Sequence, residues 1–324
     1  MQTLWPTLLR RGPDVRLETE RLELPDGDFV DLDWTVGRGK GIVIVLHGLE
    51  GCSQSPYARG LLQALQQQGW RAVVMHFRGC SGAPNRLPRS YHSGDTGDLA
   101  YLVHTLSTRE PRTPLAAVGY SLGGNVLLKW LGETGERARL SAAVAVSVPF
   151  SLADAAKRIN SGFSRLYQWK LLKSMRQRIA AKLERMPLPL KTSNLSELRS
   201  FWQFDDCVTA PLHGFRNADH YYAVASSRQY LRNIAIDTLI LHAADDPFMT
   251  PAVVPTASEL SARVELELYP HGGHVGFITG HWPWRPRYWL EQRIPAYLEQ
   301  RLRQARDTGT RRTVVGEQPA VRPG

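Results

Sequence analysis

The chain has 324 residues, 43% of them hydrophobic and 22% charged, a composition that supports a sizeable core and excludes collagen-like or low-complexity structure. Its formal net charge of +10 attracts anionic partners in general, without choosing among lipid, nucleic acid and acyl phosphate. Three dispersed cysteines, Cys52, Cys80 and Cys207, exclude a disulfide framework and a zinc-knuckle spacing, and no apolar run approaches the ~18 residues of a bilayer-spanning helix.

Residues 1–11 include Leu4, Trp5, Leu8 and Leu9, but Pro6 and the Arg10-Arg11 pair break up any signal-peptide apolar region. With the cysteine usage, this predicts a cytoplasmic protein. Leu22 and Leu24 then lead through Pro25-Asp26-Gly27 to Phe29, Leu32 and Trp34, two alternating segments about a turn that read as an antiparallel hairpin on a sheet edge.

From Gly41 onward, short apolar runs alternate with helical periods, the pattern of βαβ units on a mostly parallel sheet. Strands are predicted at 42–46, 72–77, 115–120 and 142–148, with helices at 56–68, 98–106 and 122–131. Between Phe150 and Pro211 no buried strand is legible, and Arg and Lys become frequent, which predicts a helical cap insertion. Within it Leu172, Met175, Ile179, Leu183 and Met186 step by three or four residues, an apolar stripe whose solvated faces would carry Lys173, Arg176, Arg178, Lys182 and Arg185.

The βα rhythm then resumes, with a helix at 220–231, a strand at 238–242, a short helix before Leu260, a strand at 264–269 and a final helix at 288–305. The polar end reads as a disordered tail. The expected units are therefore an N-terminal extension and hairpin (1–40), a first core part (41–149), the cap (150–211), a second core part (212–306) and the tail (307–324).

The candidate chemistry sits where strands end. Gly119-Tyr120-Ser121-Leu122-Gly123 lies at a strand-to-helix handover, where a sharp turn lifts a serine hydroxyl clear of the sheet and small glycines permit the close packing it needs. A serine must lose its proton to attack an acyl carbon, so a base and an orienting carboxylate are required, in the order Ser, Asp or Glu, His. Asp245-Asp246-Pro247 follows the 238–242 strand, and His271-Gly272-Gly273-His274 follows the 264–269 strand. Pro247 favours Asp246 over Asp245, and the glycines before it favour His274 over His271. Two backbone N–H donors for an oxyanion are expected from Leu122 and, in the early His47-Gly48-Leu49-Glu50-Gly51 loop, from Leu49. His47 is expected to hold that loop, and Cys80, with no base beside it, to be a small buried residue.

Together with His76-Phe77-Arg78-Gly79-Cys80, Tyr91-His92-Ser93-Gly94-Asp95, Gly124-Asn125, Phe248 and Val275-Gly276, these motifs resemble the YheT/EMB8/ABHD group of α/β-hydrolases over residues 22–304. The resemblance implies an α/β-hydrolase fold, a Ser121, Asp246 and His274 relay, and hydrolysis of short-chain or acylglycerol-like carboxylic esters without metal or organic cofactor. The same relay serves thioesterases and acyltransferases, and the basic surplus also admits an inactive protein that binds lipid or nucleic acid. The ordered triad favours the enzyme, with peripheral contact of the basic cap with anionic membrane as an accessory expectation and no specific nucleic-acid partner.

Overall fold

The computed structural model describes residues 12–280 and 286–314. The residues read as a broken signal-peptide pattern, 1–11, lie outside that range. An eight-stranded sheet in the order β1-β2-β4-β3-β5-β6-β7-β8 runs through the molecule. Its strands are β1 (Leu17–Glu23), β2 (Phe29–Thr35), β3 (Ile42–Leu46), β4 (Arg71–Met75), β5 (Leu115–Tyr120), β6 (Ala142–Val146), β7 (Thr238–Ala243) and β8 (Val264–Tyr269). From β4 to β8 every neighbouring pair is parallel, while the hairpin β1–β2 forms one edge and joins β4 antiparallel.

The inner parallel strands β3, β5, β6 and β7 are apolar on both faces because both are covered, whereas the edge strand β8 carries Glu265 and Glu267. Ile42, Ile44 and Leu46 of β3 enter one core cluster and Val43 and Val45 the other. Helices α1 (Pro56–Gln67) and α7 (Leu290–Val314) cover the second side through residues such as Leu61, Leu65, Ile294 and Leu298. Helices α2 (Gly97–Arg109) and α3 (Leu122–Thr134) cover the first through Leu102, Val103, Val126 and Leu127.

Between β6 and β7 the chain forms α4 (Leu152–Ile159), α5 (Ser164–Leu183), a helical stretch over 201–212 with a π-turn at Asp205–Thr209, and α6 (Ala218–Ala225). Leu172 and Ile179 of α5 pack on Leu198, Phe204 and Val208, a small separate core. Three expectations change here. Leu183 is exposed rather than part of the apolar stripe, and its neighbour Lys182 is buried instead, its ammonium donating to the carbonyls of Leu87, Pro88 and Arg89. Arg178, expected on a solvated face, forms an ion pair with Glu50.

The helix expected at 220–231 is two pieces, α6 and a 3-10 turn at Ser227–Asn233. The Asn125 amide causes the break, donating to the Ala225 carbonyl and accepting from the Ser227 N–H, so a tertiary contact overrides a continuous helical pattern. The short helix before Leu260 is one 3-10 turn, Ala257–Glu259, closed by a Thr256/Glu259 capping box. Helix α7 runs on to Val314, so part of the expected disordered tail is helical; once packing holds its first turns, each further residue adds a hydrogen bond at little cost, even past Gly309. No helix among the described residues is long and apolar enough to cross a membrane.

Candidate active site

Ser121 stands between β5 and α3 with φ 51° and ψ −114°, a strained conformation for a side chain with a Cβ. The strain is held by tertiary contacts. Its N–H donates to the Val146 carbonyl of β6 at 2.8 Å. A Cβ at Gly119 would stand 2.5 Å from the Gly123 carbonyl oxygen, and one at Gly123 would stand 2.5 Å from the Leu46 carbonyl oxygen, so only glycine fits at either position. The turn therefore forms because β3, β5 and β6 are already side by side.

The loops after β7 and β8 bring the other two groups to it. Ser121 Oγ lies 2.9 Å from His274 Nε2, and His274 Nδ1 lies 2.8 Å from Asp246 Oδ2. Asp246 is fully buried at its side chain, and its second oxygen accepts the Phe248 N–H at 2.9 Å. Burial alone would raise the Asp246 pKa, but the nearby His274 and these hydrogen bonds outweigh it and hold the carboxyl below its usual value. An ionised Asp246 requires the Nδ1–H tautomer, leaving Nε2 to accept the Ser121 hydroxyl hydrogen bond. The Phe248 ring packs edge-on against the His274 imidazole, 4.7 Å between centroids, and restricts its rotation.

The two rejected neighbours do other work. His271 has an 80% exposed side chain and lies 3.5 Å from Asp245. Asp245 Oδ1 accepts the N–H groups of Gly272 and Gly273 at 2.8 and 2.7 Å, tying the histidine loop to the β7 end.

Leu49 and Leu122 line the same cavity as Ser121 and His274. The loop carrying Leu49 is fixed from several sides. The Gly48 N–H donates to Tyr57 Oη at 2.9 Å, and the Glu50 N–H to Tyr91 Oη at 3.1 Å. His47 accepts the Phe77 N–H at Nε2 and so donates from Nδ1 to the Gly48 carbonyl. It holds the loop as expected from sequence, and burial pushes its pKa down to about 3, keeping it neutral. Burial pushes the Cys80 thiol up to about 11, away from the nucleophilic thiolate. Arg78, itself buried, bonds the buried Asp98 and Asp28 and the more exposed Asp26.

Two contributors were missed in the sequence. Glu50, at φ 57°, receives Arg178 and the Ser174 hydroxyl of α5, so the inserted helices grip the Leu49 loop directly. Ser147, at φ 52°, accepts the Val275 N–H and anchors the residue after His274. Their only sequence trace is position at strand ends, since left-handed backbone in a non-glycine residue leaves no compositional mark.

The cavity holds about 450 Å³ and carries apolar walls from the helices between β6 and β7, including Leu152, Ile159, Leu171, Met175 and Ile179. Among the described residues no cluster of three or more His, Cys, Asp or Glu side chains is arranged to hold a metal.

A family described as the alpha/beta hydrolase fold matches residues 41–281. The chain is 47% identical to YheT of Escherichia coli, which bears an esterase name, with 92% of this chain and 89% of that protein covered. It is 27% identical to the human phospholipase ABHD3, covering 89% and 73%, and 32% identical to a Saccharomyces cerevisiae monoacylglycerol lipase, covering 80% and 59%. The solved Pyrococcus furiosus esterase Pf2001 shares the fold at a TM-score of 0.56 and 17% identity, covering 88% of this chain and 93% of that one. Fold, motifs and sequence similarity together establish that the chain belongs to the YheT/EMB8/ABHD group of the α/β-hydrolase superfamily.

Proposed function

We propose that this chain is a serine ester hydrolase working through an acyl-enzyme on Ser121, with short-chain or acylglycerol-like carboxylic esters as substrates. The observation that carries the reading is the continuous hydrogen-bonded run from Ser121 Oγ through His274 to Asp246, at 2.9 and 2.8 Å, beside an apolar cavity. The esterase and lipase names of its relatives support ester chemistry.

In the acylation step Oγ bonds to the acyl carbon while its proton passes to His274 Nε2. Collapse of the tetrahedral intermediate breaks the ester C–O bond, and the alcohol leaves with that proton. A water then gives a proton to Nε2 as its oxygen attacks the acyl carbon. Ser121 takes the proton back as the acid departs. Asp246 orients the ring and stabilises its transient positive charge, and the N–H groups of Leu49 and Leu122 receive the oxyanion, each worth about 3 kcal/mol in the transition state. The helices of 150–211 act as a cap whose apolar residues hold the acyl chain.

The test is hydrolysis of p-nitrophenyl butyrate by purified protein, with labelling by a fluorophosphonate probe. Ser121→Ala is expected to lower kcat by about 10⁴-fold or more and to abolish labelling. A variant that keeps the wild-type rate would end the assignment.

A further inference from the structure

Helix α5 has two working faces. Tyr167, Leu171 and Met175 line the cavity, while Phe163 at its N-terminus and Leu166 and Trp169 on its outer side are 69%, 62% and 59% exposed. Three large apolar side chains at three-residue spacing share one helix face, and leaving them in water is unfavourable unless something covers them.

The surrounding charge indicates what does. Residues 155–183 contain eight Lys and Arg and no Asp or Glu. Among the described residues only Arg178 of these eight has a carboxylate within ion-pair distance, through Glu50. Lys173 instead lies over the Trp169 ring, 5.6 Å from its centroid. Beside Trp169 is a cleft of about 310 Å³ lined by Arg165, Arg176 and Arg199; Arg176 already donates to the carbonyls of Leu172, Ser196 and Leu198, and Arg165 and Arg199 are the guanidinium groups it offers to an anion such as a phosphate. Exposed Phe, Leu and Trp flanked by basic residues such as Arg165 and Lys173, which have no carboxylate partner among the described residues, suit a helix that lies in a membrane interface. A nucleic acid would use the charge but leave Leu166 and Phe163 in water, so the observations favour lipid.

We propose that the outer face of α5, with Phe163, Leu166 and Trp169 entering the headgroup boundary and Arg165 and Arg199 at the neighbouring cleft taking a lipid phosphate, docks this protein on an anionic bilayer. Because the opposite face of the same helix lines the cavity, docking sets that cavity beside the surface from which an acyl substrate would come. The binding itself requires no turnover and stands apart from the hydrolytic reading.

The experiment sediments full-length Ser121→Ala protein with phosphatidylcholine vesicles, with and without phosphatidylglycerol. Binding to the anionic vesicles is expected, weakening as salt rises. Leu166→Ser with Trp169→Ser, or Arg165→Glu with Lys173→Glu, should each weaken it roughly tenfold or more. Introduced with Ser121 intact, the Leu166 and Trp169 pair should keep p-nitrophenyl butyrate turnover, which separates lost docking from misfolding. Failure to sediment with phosphatidylglycerol vesicles overturns the proposal, as does binding that both double variants retain. So does salt-sensitive binding to RNA without vesicle binding, or a solution dimer that the Leu166 and Trp169 pair dissolves.

Discussion

Two adjacent aspartates, 245 and 246, differ in what they touch, and that difference can be measured. Asp246 is buried against His274, whereas Asp245 accepts two glycine N–H groups and approaches the exposed His271. Asp246→Asn is expected to lower kcat by about 10⁴-fold with little change in KM, because the amide stabilises the wrong imidazole tautomer. Asp245→Ala should loosen the histidine loop, reducing kcat by no more than about 10²-fold and stability by roughly 1–2 kcal/mol. Steady-state kinetics and urea unfolding on both variants separate the roles. That Asp246 rather than Asp245 lies beside His274 was legible from Pro247 and strand order, whereas Asp245's acceptance of backbone N–H groups 27 and 28 positions away leaves no local signature.

At the scale of elements, α5 shows where periodicity succeeds and where it stops. Leu172, Met175 and Ile179 face inward as their spacing requires, yet the next inward position belongs to Lys182, whose partners are backbone carbonyls more than ninety residues earlier. Hydrophobic pattern cannot see a cation satisfied by a distant loop. Arg178 is similarly hidden, and its pairing with Glu50 joins α5 to the loop carrying Leu49 beside the cavity. Arg178→Met leaves the Glu50 carboxylate poorly solvated without its cation and should cost roughly 2 kcal/mol of stability. Adding Glu50→Gln should recover part of that loss, since the uncompensated charge is then gone. Thermal unfolding of the single and double variants reads the coupling, and kcat on p-nitrophenyl acetate should fall in Arg178→Met as the Leu49 loop loses its tether.

For the whole molecule, alternation of apolar runs and helical periods announced a parallel sheet with an edge hairpin, but not its strand order, because strands buried on both faces carry no mark of which neighbour they take. The hairpin pairs with β4 through its backbone and buries Leu22, Leu24, Val30 and Leu32 in the core, and charge adds to that attachment. Asp33 of β2 lies 2.8 Å from His76, just after β4, and Arg78 holds Asp26 and Asp28 of the hairpin turn to Asp98 at the start of α2. Burial raises the Asp33 pKa, but hydrogen bonds from His76, Ser53 and Thr19 prevail and lower it from 3.8 to about 2. A depressed carboxylate stabilises the fold fully above its unfolded value, and that stabilisation, about 2 kcal/mol, disappears as pH falls from about 4 toward 2. Urea midpoints across that window should decline more gently in Asp33→Asn, which has no proton to gain.

The strained serine turn also makes Ser121 a clock for refolding. Its N–H is captured by β6, and its hydroxyl meets an imidazole 153 positions later in the chain, so neither contact exists until distant segments have docked. Fluorophosphonate capture after dilution from denaturant should therefore lag behind recovery of helical circular dichroism, reporting the last long-range closure of the fold rather than its first collapse.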